Sequence, residues 1–399
     1  MLNLKTAEGS TGRLMQLSLG YFFFYVITGI TVKYFTGAAS KGFPAMQDME
    51  FLVYSTTGGS LICLAWVFLK GWYRIKSNGL VTRWGIQFPG EFYYIIPSGI
   101  FTAVVIVTTT LNYMLLPSVM VAMVITRASV IVISRAVDAI QISQGILKKR
   151  VYLEEDLSVV VALLAVATQI FMHGGAPGAE VKPFLEFNLA GIHWWMGWQG
   201  GSGTGGGWTI AALMVLAFYI LSYMFRIYIM NFYKNTRGKG VPLDNCGFFG
   251  VEQIAASVTI VLAAVAFFLL PEILGREPET VRIFRGAILH PNAKWLGAIL
   301  AGTAYGLVAF FSVFIFMFKG RTATFAGLVN RLTSLMAGTA STVLLFYIFS
   351  MRFPRPEDWV SFGFILVAVG FLTRAERRRA AELVAAHEIP EQSATGAKA

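Results

Sequence analysis

Residues 92–114 read FYYIIPSGIFTAVVIVTTTLNYM, residues 115–117 read LLP, and residues 118–140 read SVMVAMVITRASVIVISRAVDAI. The first run has no charged residue and the second has only Arg127, Arg135 and Asp138. The apolar residues are continuous rather than alternating. A helix rises about 1.5 Å per residue, so about twenty residues cross the roughly 30 Å hydrocarbon layer of a bilayer. In hydrocarbon every backbone N–H and C=O must find its partner within the protein, which leaves helices or closed barrels. Continuous apolar runs of this length are the helical solution, and the proline between them marks a tight turn joining two antiparallel crossings.

The same pattern recurs along the chain. Of 399 residues, 56% are hydrophobic and 13% charged, with a mean hydropathy of +0.64, against roughly 25% charged in soluble domains. The spans expected are 15–35, 51–70, 92–114, 118–140 and 157–173, then 208–230, 247–270, 295–318, 323–349 and 359–373. The chain is therefore expected to be an all-α polytopic membrane protein of about ten transmembrane helices. Its parts are a cytoplasmic N-terminus (1–14), a first five-helix repeat (15–173), an extramembrane linker (174–207), a second five-helix repeat (208–373) and a basic tail (374–399).

The formal net charge of +11 does not point to nucleic acid, because the basic residues fall in short loops. Lys70, Arg74, Lys76 and Arg83, then Lys148, Lys149 and Arg150, then Lys234, Arg237 and Lys239, and then Lys319 and Arg321 share one side with the tail arginines. The positive-inside bias makes that side cytoplasmic, with both termini on it, which an even helix number requires. The segment 174–207 carries Trp194, Trp195 and Trp198, read as lipid–water boundary residues, and a run from Gly200 to Gly207, read as a flexible linker. No Asn-x-Ser/Thr acceptor occurs, which leans toward a bacterial inner membrane and leaves a eukaryotic endomembrane open.

The halves share an order of features. The first ends with Arg127, an apolar run, a basic turn, Glu155-Asp156 and a short apolar helix. The second ends with Asn330-Arg331, an apolar run, Arg352, Glu357-Asp358 and a short apolar helix. A duplicated unit with an odd number of crossings must insert in opposite orientations, giving inverted repeats with a site near the midplane between them. Arg127 and Arg331 lie about eight or nine residues into their helices, roughly 12–14 Å deep. Two guanidiniums near the midplane suit an anion, since arginine grips phosphate or carboxylate as a fork. The intramembrane inventory is basic: Lys33, Arg127, Arg135, Arg226 and Arg331 against Asp138 and Glu252. Lys33 and Arg226 lie near helix ends and read as snorkelling. Arg135 and Asp138 are spaced for a local pair, and Glu252 reads as either a coupling-proton carrier or an arginine's partner. Gly302 and Gly306 form a GxxxG that says little by itself.

At the ninth span, Gly327-Leu328-Val329-Asn330-Arg331-Leu332 resembles the GALNK motif of nucleotide-sugar transporters in the drug/metabolite transporter superfamily. Gly327 and Asn330 match, with Arg331 in place of lysine. The Pro117 turn followed by Arg127 in mid-helix also resembles that superfamily, as does the ten-helix plan over about residues 14–375. The resemblance implies alternating access without ATP, with Arg127, Arg331, Asn330 and Gly327 binding substrate. The FYNN motif of the nucleotide-sugar branch has no counterpart; the nearest string is Phe248-Phe249-Gly250-Val251-Glu252-Gln253. The leading expectation is a secondary transporter of a small organic anion, a phosphorylated metabolite or nucleotide sugar, with no cofactor. A proton-coupled exporter of amino acids or other metabolites working through Glu252 is the second. A non-transporting membrane scaffold using 174–207 as its partner surface is the third. The partners expected are the bilayer and the substrate, with a homodimer left open. No catalytic or metal-ligating constellation emerges: His173, His193, His290 and His387 lie at boundaries, in loops or in the tail.

Overall fold

The computed structural model describes residues 11–83, 85–116, 119–147, 151–174, 185–196, 210–238, 241–316 and 323–395. In chain order it contains α1 (Thr11–Phe35), α2 (Asp48–Lys70), the hairpin β1 (Leu80–Arg83) and β2 (Ile86–Pro89), α3 (Phe92–Leu115), α4 (Val119–Ser143) and α5 (Leu153–Phe171). Strands β3 (Met172–Gly174), β4 (Leu185–Leu189) and β5 (Ile192–Met196) follow. Then come α6 (Ile210–Asn235), α7 (Asn245–Phe268), α8 (Leu270–Leu274), α9 (Glu279–Leu289), α10 (Trp295–Phe316), α11 (Ala323–Phe349) and α12 (Pro356–Thr395). Among the described residues nine helices are long and apolar enough to cross a membrane: α1 to α4, α6, α7, α10, α11 and α12. The protein is a multi-pass all-α membrane protein. The tenth expected crossing, α5, has 19 residues and carries Glu154, Glu155 and Asp156 in its first turn, where the helix dipole favours acids.

The helices are amphipathic in the sense that lipid demands. Met15, Leu19 and Phe23 line the exposed face of α1, while Leu14, Leu17, Tyr21 and Tyr25 are buried. On α6, Met214, Phe218, Leu221 and Phe225 face out, and Tyr219, Tyr223 and Arg226 face in. In water such an apolar exterior would be a liability; against acyl chains it is the natural surface. Helix α2 packs on α10, α3 on both α6 and α7, α1 on α10 and α11, α4 on α5, α6 and α11, and α5 along α12.

The connections hold more structure than the sequence reading expects. The loop before α10 contains α9, whose Val281, Phe284 and Ala287 are buried and which is tied to α2 by Tyr54 Oη donating to Ala287 O at 2.8 Å. The segment read as a linker holds β4 and β5, which pair with β3 in the antiparallel order β3-β5-β4. Trp194 and Trp195 lie on β5, where both side chains are buried. Trp198 and the glycine run lie outside the described residues.

The β1–β2 hairpin is anchored to the α6–α7 connection by a buried polar cluster. Glu91, just before α3, accepts from Ser77 Oγ, from the Asn78 amide and, at 2.8 Å, from Arg237 Nη1. Arg237 also donates to the Lys76 and Pro242 carbonyls, and Asn78 bridges to Thr236 and Gly238. Burial by itself would raise the Glu91 carboxyl, but these donors and the guanidinium outweigh it and hold it below the ordinary carboxylate value. Removing one partner of a buried pair costs about 3–5 kcal/mol. Arg237→Ala should therefore lower the melting temperature of the detergent-solubilised protein clearly, whereas a surface arginine such as Arg282 should not. Because the folded value is depressed, the stabilisation is complete above the ordinary value of about 4.3 and is lost as pH falls through the lowered one. Melting curves of Glu91→Gln should lack that acid-side loss.

Candidate functional site

Arg127 and Arg331 are both buried in the bundle, but in different surroundings. Arg127, on α4, donates from Nη2 to Tyr25 Oη at 2.6 Å and lies 5.4 Å from the Tyr25 ring centroid. Tyr113 donates to the same Tyr25 hydroxyl at 2.9 Å. Tyr21, Tyr219 and Tyr223 stand close enough to act on the guanidinium electrostatically. Hydroxyl oxygens and ring faces thus take the place of a carboxylate here, which hydrogen bonding and cation–π attraction permit. Arg127 Nε is buried without a hydrogen-bond partner among the described residues.

Arg331, on α11, donates to Ser134 Oγ and to the Val130 carbonyl of α4. Its Nε has no hydrogen-bond partner among the described residues. Arg331 lines a cleft, partly open to solvent, between the later halves of α4 and α6, the start of α5 and the inner faces of α11 and α12. The mouth lies at the end of the bundle that carries the β1–β2 hairpin and the α6–α7 connection. At the opposite end Tyr34, Phe35, Phe43, Phe51 and Phe349 form a continuous set of ring contacts across α1, α2, α11 and the loop between α1 and α2. Arg127 stands deeper than Arg331, behind the tyrosines, and is not among the lining residues. The two guanidiniums are within electrostatic reach of each other but do not converge on one point.

The other expected site residues distribute as follows. Asp138 and Arg135 line the cleft, and Arg135 pairs with Asp156 of α5 at 2.8 Å, so the expected i,i+3 pair gives way to an interhelix one. Asn330 turns away from the cleft: Tyr21 donates to its Oδ1 and its Nδ2 donates to Ser312. Gly327 lies on α11 one turn before Arg331. Glu252 is buried on α7 and binds Arg226 of α6 bidentately, both contacts at 2.9 Å, while accepting from Ser98 and Thr102 of α3. Arg226 therefore does not snorkel; a carboxylate that α3 also holds keeps it in the interior. Lys33 does not snorkel either, since it donates to Leu116 O at 2.9 Å, a carbonyl left open by the end of α3.

Sequence reasoning misses Lys234, which reads as a loop charge. It occupies the last turn of α6, lines the cleft, and buries its Nζ with no hydrogen-bond partner among the described residues. The signal is positional: Tyr223, Arg226, Ile227, Met230, Asn231 and Lys234 follow i+3/i+4 steps along one face of α6. Of the charged lining residues, Arg226, Arg135 and Glu155 have ion-pair partners outside the lining, namely Glu252, Asp156 and Arg379. Arg331 and Lys234 are the lining cations with no ion pair among the described residues. A second cleft, lined by Phe24, Ile62, Cys63, Trp66, Phe310 and Phe311 among others, is apolar throughout and offers no such chemistry.

No family model matches this chain, and no curated protein does. A solved structure described only as "Crystal structure of protein" is similar at 14% identity with a TM-score of 0.48, over 92% of this chain and 99% of that one. A likeness of that degree carries no argument about function.

The Arg226–Glu252 pair makes a prediction independent of any substrate. Arg226→Leu strands a buried carboxylate and should cost about 3–5 kcal/mol. The double variant Arg226→Leu/Glu252→Leu should recover a large part of that loss. A double-mutant cycle on apparent melting free energies measures this; additive single effects would show that the pair does not couple.

Proposed function

We propose that this chain is a secondary transporter of the drug/metabolite transporter superfamily that moves a small organic anion by alternating access, with Arg331 as the principal substrate contact. One observation carries the reading: a guanidinium whose Nε has no hydrogen-bond partner among the described residues lines a cleft that is partly open to solvent. A cation that no acid hydrogen-bonds, at membrane depth and within reach of solvent, suits an incoming anion.

The arrangement of helices supports the inverted repeat. Matching α1 to α6, α2 to α7, α3 to α10, α4 to α11 and α5 to α12 turns the most extensive packed pairs into packed pairs. The α2–α10 contact becomes α7–α3, α1–α10 becomes α6–α3, α1–α11 becomes α6–α4, and α4–α5 becomes α11–α12. The α2–α7, α4–α11 and α5–α12 contacts map onto themselves, as contacts on a two-fold axis do. On this reading α5 is the tenth crossing, its three acids lying at the interface where its partner α12 brings arginines. Glu155 pairs with Arg379 near the far end of α12, and Glu357 accepts from the Gly174 amide just past the end of α5. Ten crossings put both ends of the helical chain on one side, which the loop charges make cytoplasmic.

Proton coupling through Glu252 fits less well, because that carboxylate is saturated by one guanidinium and two hydroxyls. The test is uptake of anionic metabolites into proteoliposomes, with ligand-induced melting shifts in detergent. Arg331→Ala should abolish transport of the stabilising anion while the protein still inserts and melts cooperatively. Arg331→Lys should keep the charge but lose the fork, and should retain part of the activity. Full transport by Arg331→Ala would refute the site.

A further inference from the structure

Lys234 is out of place for a residue that merely orients a loop. A lysine in the last turn of a membrane helix ordinarily extends its ammonium to water, and water is close at hand here. Instead the chain bends inward, and Nζ is buried in the cleft wall without a hydrogen-bond partner among the described residues. Its position relative to Arg331 can be read along the helices. Arg331 is held at the level of Val130 and Ser134 on α4 and is within electrostatic reach of Tyr223 on α6. Lys234 lies eleven residues beyond Tyr223, about 16 Å of helix rise toward the mouth. Two long side chains reaching toward each other leave their charges on the order of 10 Å apart. Between them the wall is mixed, with Met230 and Ile227 beside Asn231 and Ser134.

The groups that face Lys234 across the cleft are Asp138 on α4, Glu155 on α5 and Arg226 on its own helix. Glu155 is taken by Arg379 and Arg226 by Glu252. Asp138 acts electrostatically on Arg331. Two cationic stations separated along the cleft axis do not suit a compact monoanion, which can satisfy only one.

We propose that Lys234 is the outer of two cationic stations and that the cleft selects an elongated bis-anion, an organic molecule with a phosphate or carboxylate at each end. One end would be gripped by the Arg331 fork and the other by the Lys234 ammonium, with the body of the molecule against Ile227, Met230 and Asn231. This deepens the transporter reading and rests on it. It also gives Lys234 a selective role distinct from that of Arg331: a molecule with one anionic end gains little from Lys234.

The experiment compares matched pairs on the purified full-length protein: glucose 6-phosphate with glucose 1,6-bisphosphate, and butyrate with adipate, with dissociation constants from melting shifts and calorimetry. In the wild type at least one bis-anion should bind about tenfold or more tightly than its mate with a single anionic group. Lys234→Gln should shrink that ratio to about twofold, Lys234→Arg should preserve most of it, and Arg331→Gln should weaken both members of the pair. Equal binding of the two members in the wild type, or equal weakening of both by Lys234→Gln, overturns the bis-anion assignment and leaves the anion site standing. Binding of none of the four by the wild type overturns the assignment together with the anion-site reading on which it rests.

Discussion

A charge carried into hydrocarbon must bring its neutralisation with it, since even permissive insertion scales put an unmatched one at about 2.5–3.5 kcal/mol at the bilayer centre. The chain has more interior cations than acids, and their neutralisation orients most of the bundle. Arg226 takes the one deeply buried carboxylate of α7, and because Glu252 also accepts from Ser98 and Thr102, that single group ties α3, α6 and α7 together. Lys33 uses the open carbonyl of Leu116 and so fixes the end of α1 against the end of α3. Arg127 has no acid within hydrogen-bond reach among the described residues; it donates to the Tyr25 hydroxyl of α1, which Tyr113 of α3 in turn holds. Each solution demands a particular rotation of the helices involved, so the polar interior specifies the packing that lipid, being as apolar as the side chains it meets, does not.

Close backbone approach supplies the rest of the attraction, because helices in lipid associate through van der Waals fit and not through hydrophobic exclusion. The seam between α2 and α10 is cut for it. A Cβ on Gly302 would lie 2.0 Å from the Ser55 carbonyl oxygen, and one on Gly58 would lie 1.9 Å from that of Ile299. Neither carbonyl can move aside without breaking its own helix. The α3–α7 contact is built the same way, with a Cβ on Gly99 2.4 Å from that of Ala255. The Gly302/Gly306 motif, uninformative by itself, becomes informative once Gly58 and Gly59 are seen to face it.

What the sequence makes legible follows from which interactions are local. Helix positions depend on runs of apolar residues, and α11 coincides with its expected span while α3 and α4 fall within a few residues of theirs. Whether Arg226 snorkels or pairs depends on Glu252, twenty-six positions away, and whether Lys33 reaches water depends on Leu116; no local pattern contains either answer. Asn330 and Arg331 are neighbours in a motif, yet a helix turns successive residues by about 100°, and Asn330 falls on the side that meets Tyr21 and Ser312. The β3-β5-β4 sheet escaped because Trp194 and Trp195 satisfy boundary statistics and strand packing equally well. Lys234 escaped for the opposite reason: its position by the loop made a sufficient explanation of its charge, and its face on α6 went unread.

The two arginines, matched in the proposed repeat, differ in what surrounds them, and that difference bears on mechanism. An exact two-fold would give Arg127 and Arg331 the same environment. Instead Arg331 looks into a cleft, while Arg127 donates to Tyr25 and has Tyr21, Tyr219 and Tyr223 within electrostatic reach. Nothing in the helix frame requires this inequality, since the packed pairs interchange under the repeat. It resides in side chains that can rotate: a tyrosine hydroxyl is a weaker partner for a guanidinium than a carboxylate is, and it can be displaced by one. In the proposed cycle a substrate anion arriving at Arg331 would compete with Tyr223 and Tyr25 for the field of both guanidiniums, loosening the contacts that close the far side. On that proposal, tyrosines in place of an acid at Arg127 would let an incoming anion displace them, which a buried carboxylate there would resist.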